Sequence, residues 1–131
     1  MQRVPLFSAT FDEGRLFDLW MLVHCLSGVA GGFSNVWFGL STAAVYAIGI
    51  ALMITWEGIE FATGIRESWE NRMLDIAVGV LGIGLALAIS ARLDTAGQRR
   101  AFVASAALLA LGLFRGWRAY RRRTSQGAEP A

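Results

Sequence analysis

The run from Val36 to Trp56, VWFGLSTAAVYAIGIALMITW, contains no charged residue. An α-helix needs about 20 mainly apolar residues to cross the hydrocarbon core of a bilayer, and this run is long enough. Three further apolar stretches are Leu16–Phe33, Ile76–Ala91 and Ala101–Phe114. The last becomes long enough when the arginine-containing segment up to Tyr120 supplies its interfacial end. The sequence therefore predicts four membrane spans.

The composition supports a membrane protein, because 55% of the 131 residues are hydrophobic and only 17% are charged. We predict an all-α integral membrane bundle of four transmembrane helices with short loops, spanning about 16–33, 36–60, 72–91 and 101–120. Residues 1–15 are predicted to form an N-terminal interfacial segment. Residues 121–131 are predicted to form a cytoplasmic tail that is first rich in arginine and then disordered.

The arginines predict the orientation, because short cytoplasmic loops carry an excess of basic residues. If both termini are cytoplasmic, three arginines lie outside, and nine lie inside: Arg3, Arg15, Arg66, Arg72, Arg115, Arg118, Arg121, Arg122 and Arg123. We therefore predict a multi-pass protein of a bacterial inner (cytoplasmic) membrane with both termini inside. Its expected partners are membrane lipids, with a partner membrane protein as an alternative and no nucleic acid, and the oligomeric state stays open.

Helical spacing of about 100° per residue indicates which faces pack. The second helix gathers its small and polar residues in one sector: Gly39, Thr42, Tyr46, Gly49, Met53, Glu57 and Glu60. The third helix has a similar stripe: Asn71, Asp75, Gly79, Gly82, Ala86 and Ser90. On the first helix, His24 shares a face with Gly28 and the pair Gly31 and Gly32. Because small residues let membrane helices approach closely, we predict that Gly28, Gly32, Gly79 and Gly82 pack helices together.

Carboxylates stand where the second span ends and the third begins. A carboxylate in or beside hydrocarbon is costly unless it is paired, protonated or hydrated, so its retention points to a use. We predict a cytoplasm-facing polar cleft between the first three helices, formed by His24, Tyr46, Glu57, Glu60, Arg66, Asn71 and Asp75.

Three short motifs carry a family resemblance. They are His24-Cys25-Leu26-Ser27-Gly28, then Glu57-Gly58-Ile59-Glu60 followed by Arg66, and the segment from Asp75 to Gly82. The chain resembles the VanZ-like group of small bacterial membrane proteins and the related YjdF-like family, whose corresponding motifs are His-Phe-x-x-Gly, Glu-x-x-Gln/Glu…Arg and Asp-x-x-x-Asn-x-x-Gly.

The resemblance covers about residues 18–86 and departs from the family pattern at two positions. Trp20 stands where the family often has Asp, and Gly79 replaces the family's Asn. The resemblance implies the four-helix architecture, the choice of polar residues and a role in the bacterial envelope. It implies no reaction, because the family has no settled biochemical activity.

The polar residues leave several chemistries open. His24 and the carboxylates are ligands that suit borderline metal ions. However, there is one histidine in the chain, and it is predicted to lie about 10 Å below the start of the first helix, deeper than Glu57 and Asp75. A shared ion would need a tilted or late-starting first helix. A carboxylate pair also suits acid–base chemistry, but no nucleophile set accompanies it.

A purely structural interpretation is also available. Acidic residues would then pair with Arg66 and Arg72, Asp75 would cap the third helix, and His24 would hydrogen-bond to Tyr46. Of the functional hypotheses, we favour a protein that binds a lipid head group or a small polar ligand, without enzymatic activity and without a cofactor. The alternatives are a small proton-coupled transporter and a ligand-free accessory subunit of a membrane complex.

Overall fold

The computed structural model describes residues 18–64 and 68–126 of the chain. In these ranges it has four helices: α1 (Leu19–Phe38), α2 (Thr42–Ala62), α3 (Trp69–Ser90) and α4 (Thr95–Gln126). Each of them is long and apolar enough to cross a membrane. The predicted all-α, four-helix fold is therefore confirmed, and the chain is a multi-pass membrane protein. The predicted interfacial segment 1–15 lies outside the described residues.

The turn between the first two helices lies later than the sequence predicted. The predicted spans 16–33 and 36–60 place a turn at residues 34–35, but α1 continues through these residues to Phe38, and Gly39 ends it with a left-handed conformation, φ 60°. The Asn35 side chain stabilises this end, because its Nδ2 donates to Leu40 O at 3.0 Å and its Oδ1 accepts from Leu40 N–H at 2.7 Å. Ser41 then caps α2 by accepting from Ala44 N–H at 3.3 Å. Ser34 and Asn35, which lie between the two predicted spans, are therefore part of the last turns of α1.

Side-chain caps also move the starts of α1 and α3. Asp18 accepts from the backbone N–H groups of Trp20 and Met21, at 2.8 and 3.1 Å, so α1 begins at Leu19 and not near residue 16. Ser68 accepts from Asn71 N–H at 3.2 Å, so α3 begins at Trp69 and not at residue 72. Serine and aspartate are preferred at this position because their oxygens satisfy the free N–H groups of the first turn.

Helix α4 is longer at both ends than the predicted span 101–120. Asp94 accepts from Gly97 N–H at 2.6 Å, and the Gln98 side chain donates to Ser90 O at 3.0 Å, so the helix starts within the segment predicted as a loop. Its 32 residues correspond to about 48 Å, more than the roughly 30 Å of a hydrocarbon core. Residues 121–126 of the predicted tail therefore continue α4, and residues 127–131 lie outside the described residues.

The centre of the fold is a close contact between α1 and α3. A Cβ atom added at Gly28 would overlap the backbone carbonyl of Gly79, and one added at Gly82 would overlap the carbonyl of Cys25. A Cβ at Gly32 would lie 2.6 Å from Ala86 Cβ. The two backbones therefore touch directly, which is the packing that small residues permit between membrane helices.

The other two helices pack around this pair. Helix α4 lies along α1, whereas α2 packs mainly on α3 and contacts α1 over a shorter length. The α2–α3 contact includes Gly49, which faces Ile83, and Met53, which faces Gly79. Ile83 is 1% exposed and forms the apolar core with Val45 and Met53. Because α2 lies away from most of α1, a space remains between these two helices.

The α1–α3 contact predicts opposite effects for one substitution at two glycines. We expect Gly82→Ala to lower the free energy of unfolding by about 1–3 kcal/mol, because the added methyl group meets rigid backbone. Gly58→Ala is the matched control, since a Cβ there meets nothing within 4 Å and alanine favours helix over glycine by about 1 kcal/mol. Thermal unfolding in detergent, followed by tryptophan fluorescence, measures both. Equal stability of the two variants would contradict the close contact.

Candidate functional site

Three helices bring His24, Glu57 and Asp75 to one depth. His24 lies five residues after the start of α1, Asp75 six residues after the start of α3, and Glu57 five residues before the end of α2. Each is therefore about 8 to 9 Å along its helix from the same end of the bundle. The predicted difference in depth is wrong, because α1 starts later and α3 earlier than expected.

The three side chains converge and are shielded from solvent. His24 Nε2 lies 3.9 Å from Glu57 Oε1 and 3.9 Å from Asp75 Oδ2. Each residue offers one potential metal-ligand atom, and these three atoms all lie within 4.8 Å of one another. The exposed fractions are 7% for His24, 6% for Glu57 and 1% for Asp75. We call these three residues the polar triad.

Two neighbouring residues on α3 contact the carboxylates of the triad. Asn71, which is 2% exposed, donates from Nδ2 to Asp75 Oδ2 at 3.1 Å. Arg72 Nε lies 3.8 Å from Glu57 Oε2, and its guanidinium group stands over the Phe61 ring at 5.1 Å. Ser68, and not Asp75, caps α3. The structural interpretation is therefore wrong for Asp75, which lies in the second turn of the helix.

The remaining predicted cleft residues have different positions. Glu60 is 9% exposed and accepts from Trp56 Nε1 at 2.7 Å, one helical turn closer than Glu57 to the end of α2. Tyr46 lies eleven residues before Glu57, about 16 Å along the helix. A Cβ added at Gly84 would lie 2.7 Å from the Tyr46 hydroxyl oxygen. Tyr46 is therefore outside the cleft, and the expected hydrogen bond with His24 is wrong. Arg66 lies outside the described residues.

A cavity of about 560 Å³ opens beside the triad, between α1 and α2. Ligand sites in proteins commonly enclose about 300–1,000 Å³. Its lining on α1 extends from Trp20 to Phe38, about 27 Å of helix. His24 belongs to this wall, and most of the lining is apolar, including Val23, Val45, Ile48, Leu52, Met53 and Ile83.

The cavity was not predicted from the sequence, although its lining includes exposed apolar side chains and a glycine with open space beside it. Ile48, Leu52 and Phe38 are 50%, 66% and 69% exposed, so the cavity is open along one side. Gly31 lines it too, and a Cβ added there meets nothing within 4 Å. Helical spacing placed Gly31 on the same face as Gly28 and Gly32, and it could not show that Gly31 borders a free space whereas the other two make close contacts.

Comparison of the chain with protein-family models, curated proteins and solved structures found no match. By its fold and its site, the chain is a four-helix, multi-pass membrane protein with a buried His/Glu/Asp triad at one end of an apolar cavity.

The Asn71–Asp75 hydrogen bond leads to a prediction about stability. Asn71→Leu removes the donor from a buried carboxylate, so we expect the free energy of unfolding to fall by about 1–3 kcal/mol. The double variant Asn71→Leu/Asp75→Leu should recover part of this loss, because the carboxylate is removed as well. Chemical unfolding in detergent measures the complete mutant cycle. Losses that simply add would show that the two side chains are not coupled.

Proposed function

We propose that this protein binds an amphiphilic lipid, with the polar head group at the triad and an acyl chain in the cavity. The observation that carries the proposal is the position of His24, which belongs both to the triad and to the cavity wall. The polar triad and the apolar cavity are thus continuous. A lipid could place its head group at the triad and its acyl chain in the cavity.

The walls of the cavity support a hydrocarbon chain as the occupant. Ser27 lines the cavity, but its hydroxyl donates to Val23 O at 2.8 Å within α1. Beyond His24, the middle of the cavity therefore offers mainly aliphatic surface. Burying apolar groups against such walls is favourable, and the open side allows entry from the surrounding bilayer.

The arginine distribution and the position of the triad support a cytoplasmic-leaflet lipid. The triad lies toward the end of the bundle at which α1 begins and α4 ends. In the predicted orientation with both termini inside, nine of the twelve arginines are expected on the cytoplasmic side. We therefore assign the protein to a bacterial cytoplasmic membrane and, in keeping with its VanZ-like motifs, to an envelope-related role.

Native mass spectrometry of protein released from its own lipid membranes tests this function. We expect wild type to retain a lipid mass, and Gly31→Leu to lose it because leucine fills the cavity. Gly58→Leu should retain the lipid, since that glycine also has open space around it but does not line the cavity. The double variant Glu57→Gln/Asp75→Asn should retain less lipid, because the head-group contacts change.

The outcomes separate the competing functions. Equal lipid retention by Gly31→Leu and Gly58→Leu would contradict the cavity as the chain site. A stable, lipid-free dimer would favour a proton-coupled transporter. A lipid-free wild-type monomer would favour an accessory subunit whose polar faces meet a partner protein.

A further inference from the structure

We propose that His24, Glu57 and Asp75 bind one divalent transition-metal ion. The three residues come from three helices, and their candidate ligand atoms all lie within 4.8 Å of one another. Metal sites in helix bundles are built in the core from side chains on facing helices. This inference is independent of the acyl-chain site, because it needs only the triad.

The distances within the triad suit a shared ion better than direct hydrogen bonds. The two separations of 3.9 Å from His24 Nε2 exceed the roughly 2.7–3.2 Å of a hydrogen bond. Bonds of about 2.0–2.2 Å from an ion to nitrogen and oxygen place neighbouring ligand atoms about 3.0–3.5 Å apart. The side chains therefore need to move by less than about 1 Å to coordinate an ion at their centre.

The surroundings of His24 are a second, separate indication of a ligand. The His24 side chain is 9% exposed. It forms no hydrogen bond with any residue in the ranges 18–64 and 68–126. Buried polar groups normally have a partner, and coordination through Nε2 would supply one.

The ligand types indicate which ion binds. Mg²⁺ and Ca²⁺ prefer ligand sets made only of oxygen, whereas Zn²⁺, Fe²⁺, Mn²⁺ and Co²⁺ accept imidazole together with carboxylates. Asn71 and Arg72 contact the two carboxylates, as second-layer residues do when they orient metal ligands. Three protein ligands leave at least one position for a water molecule or for an oxygen from the adjoining cavity.

The test uses tag-free protein in detergent, after a chelator has removed bound metal. Co²⁺ is titrated and followed by its visible absorption, and Zn²⁺ competes for the same site. We expect one ion per chain in wild type and at least tenfold weaker binding in Asp75→Asn and Glu57→Gln. Glu60→Gln is the matched control, because Glu60 is a buried carboxylate of α2 outside the triad.

X-ray absorption of the Zn²⁺-loaded wild type gives a second readout that does not depend on variants. The chain has one histidine, so any imidazole signal from tag-free protein must come from His24. One imidazole with oxygen ligands is the expected result. Wild type that binds neither Co²⁺ nor Zn²⁺, a Zn²⁺ site without imidazole, or equal affinity in all three variants would overturn the proposal.

Lipid binding and metal binding can be measured separately in the same variants. Gly31→Leu should lose lipid and keep Co²⁺ affinity, because Gly31 lines the cavity and is not a ligand. Chelator-treated wild type that still retains lipid, but never binds Co²⁺ or Zn²⁺, would overturn the metal site alone.

Discussion

The direct contact between the backbones of α1 and α3 determines where the polar side chains lie. Gly28 and Gly79 meet at the centre of this contact, and Met53 of α2 packs against Gly79. His24 lies four residues before Gly28, and Asp75 lies four residues before Gly79, which is about one helical turn in each case. Because α2 runs antiparallel to α3, Glu57 reaches the same level by lying four residues after Met53. The contact that holds the helices together therefore also sets the separation within the triad.

The triad lies where charged groups are expensive. Two carboxylates that are at most 6% exposed stand within membrane-spanning helices, and Arg72 and Asn71 contact them from α3. Replacing such groups by well-packed apolar residues often costs nothing or even stabilises a protein, so a buried ionic cluster is weak evidence of a purely structural role. Ionisable residues within membrane spans commonly mark substrate or ion sites, which is why we propose ligands for the triad.

The helix faces could be predicted from the sequence, whereas helix ends and the cavity could not. The predicted stripe of α3 runs from Asn71 through Asp75, Gly79, Gly82 and Ala86 to Ser90, and the structure buries the first five and half-buries Ser90. Helix ends depend on single side-chain hydrogen bonds, such as those made by Asp18 and Ser68, which are weak signals within a polar segment. The predicted starts of α1 and α3 were each wrong by three residues. His24 was therefore predicted to lie deeper than the carboxylates, and the triad could not be predicted. The cavity depends on how α2 lies relative to α1, which no periodicity records.

The position of the triad restricts the kind of molecule that reaches it. The cavity opens beside Leu52 and Phe38, which are exposed apolar residues in helices that cross the membrane. A molecule that enters through this side must already be dissolved in the bilayer, and one that contacts His24 must also carry a polar group. A soluble polar ligand satisfies only the second condition, and a pure hydrocarbon only the first. A lipid satisfies both, because its head group and chain match the two environments that meet at His24.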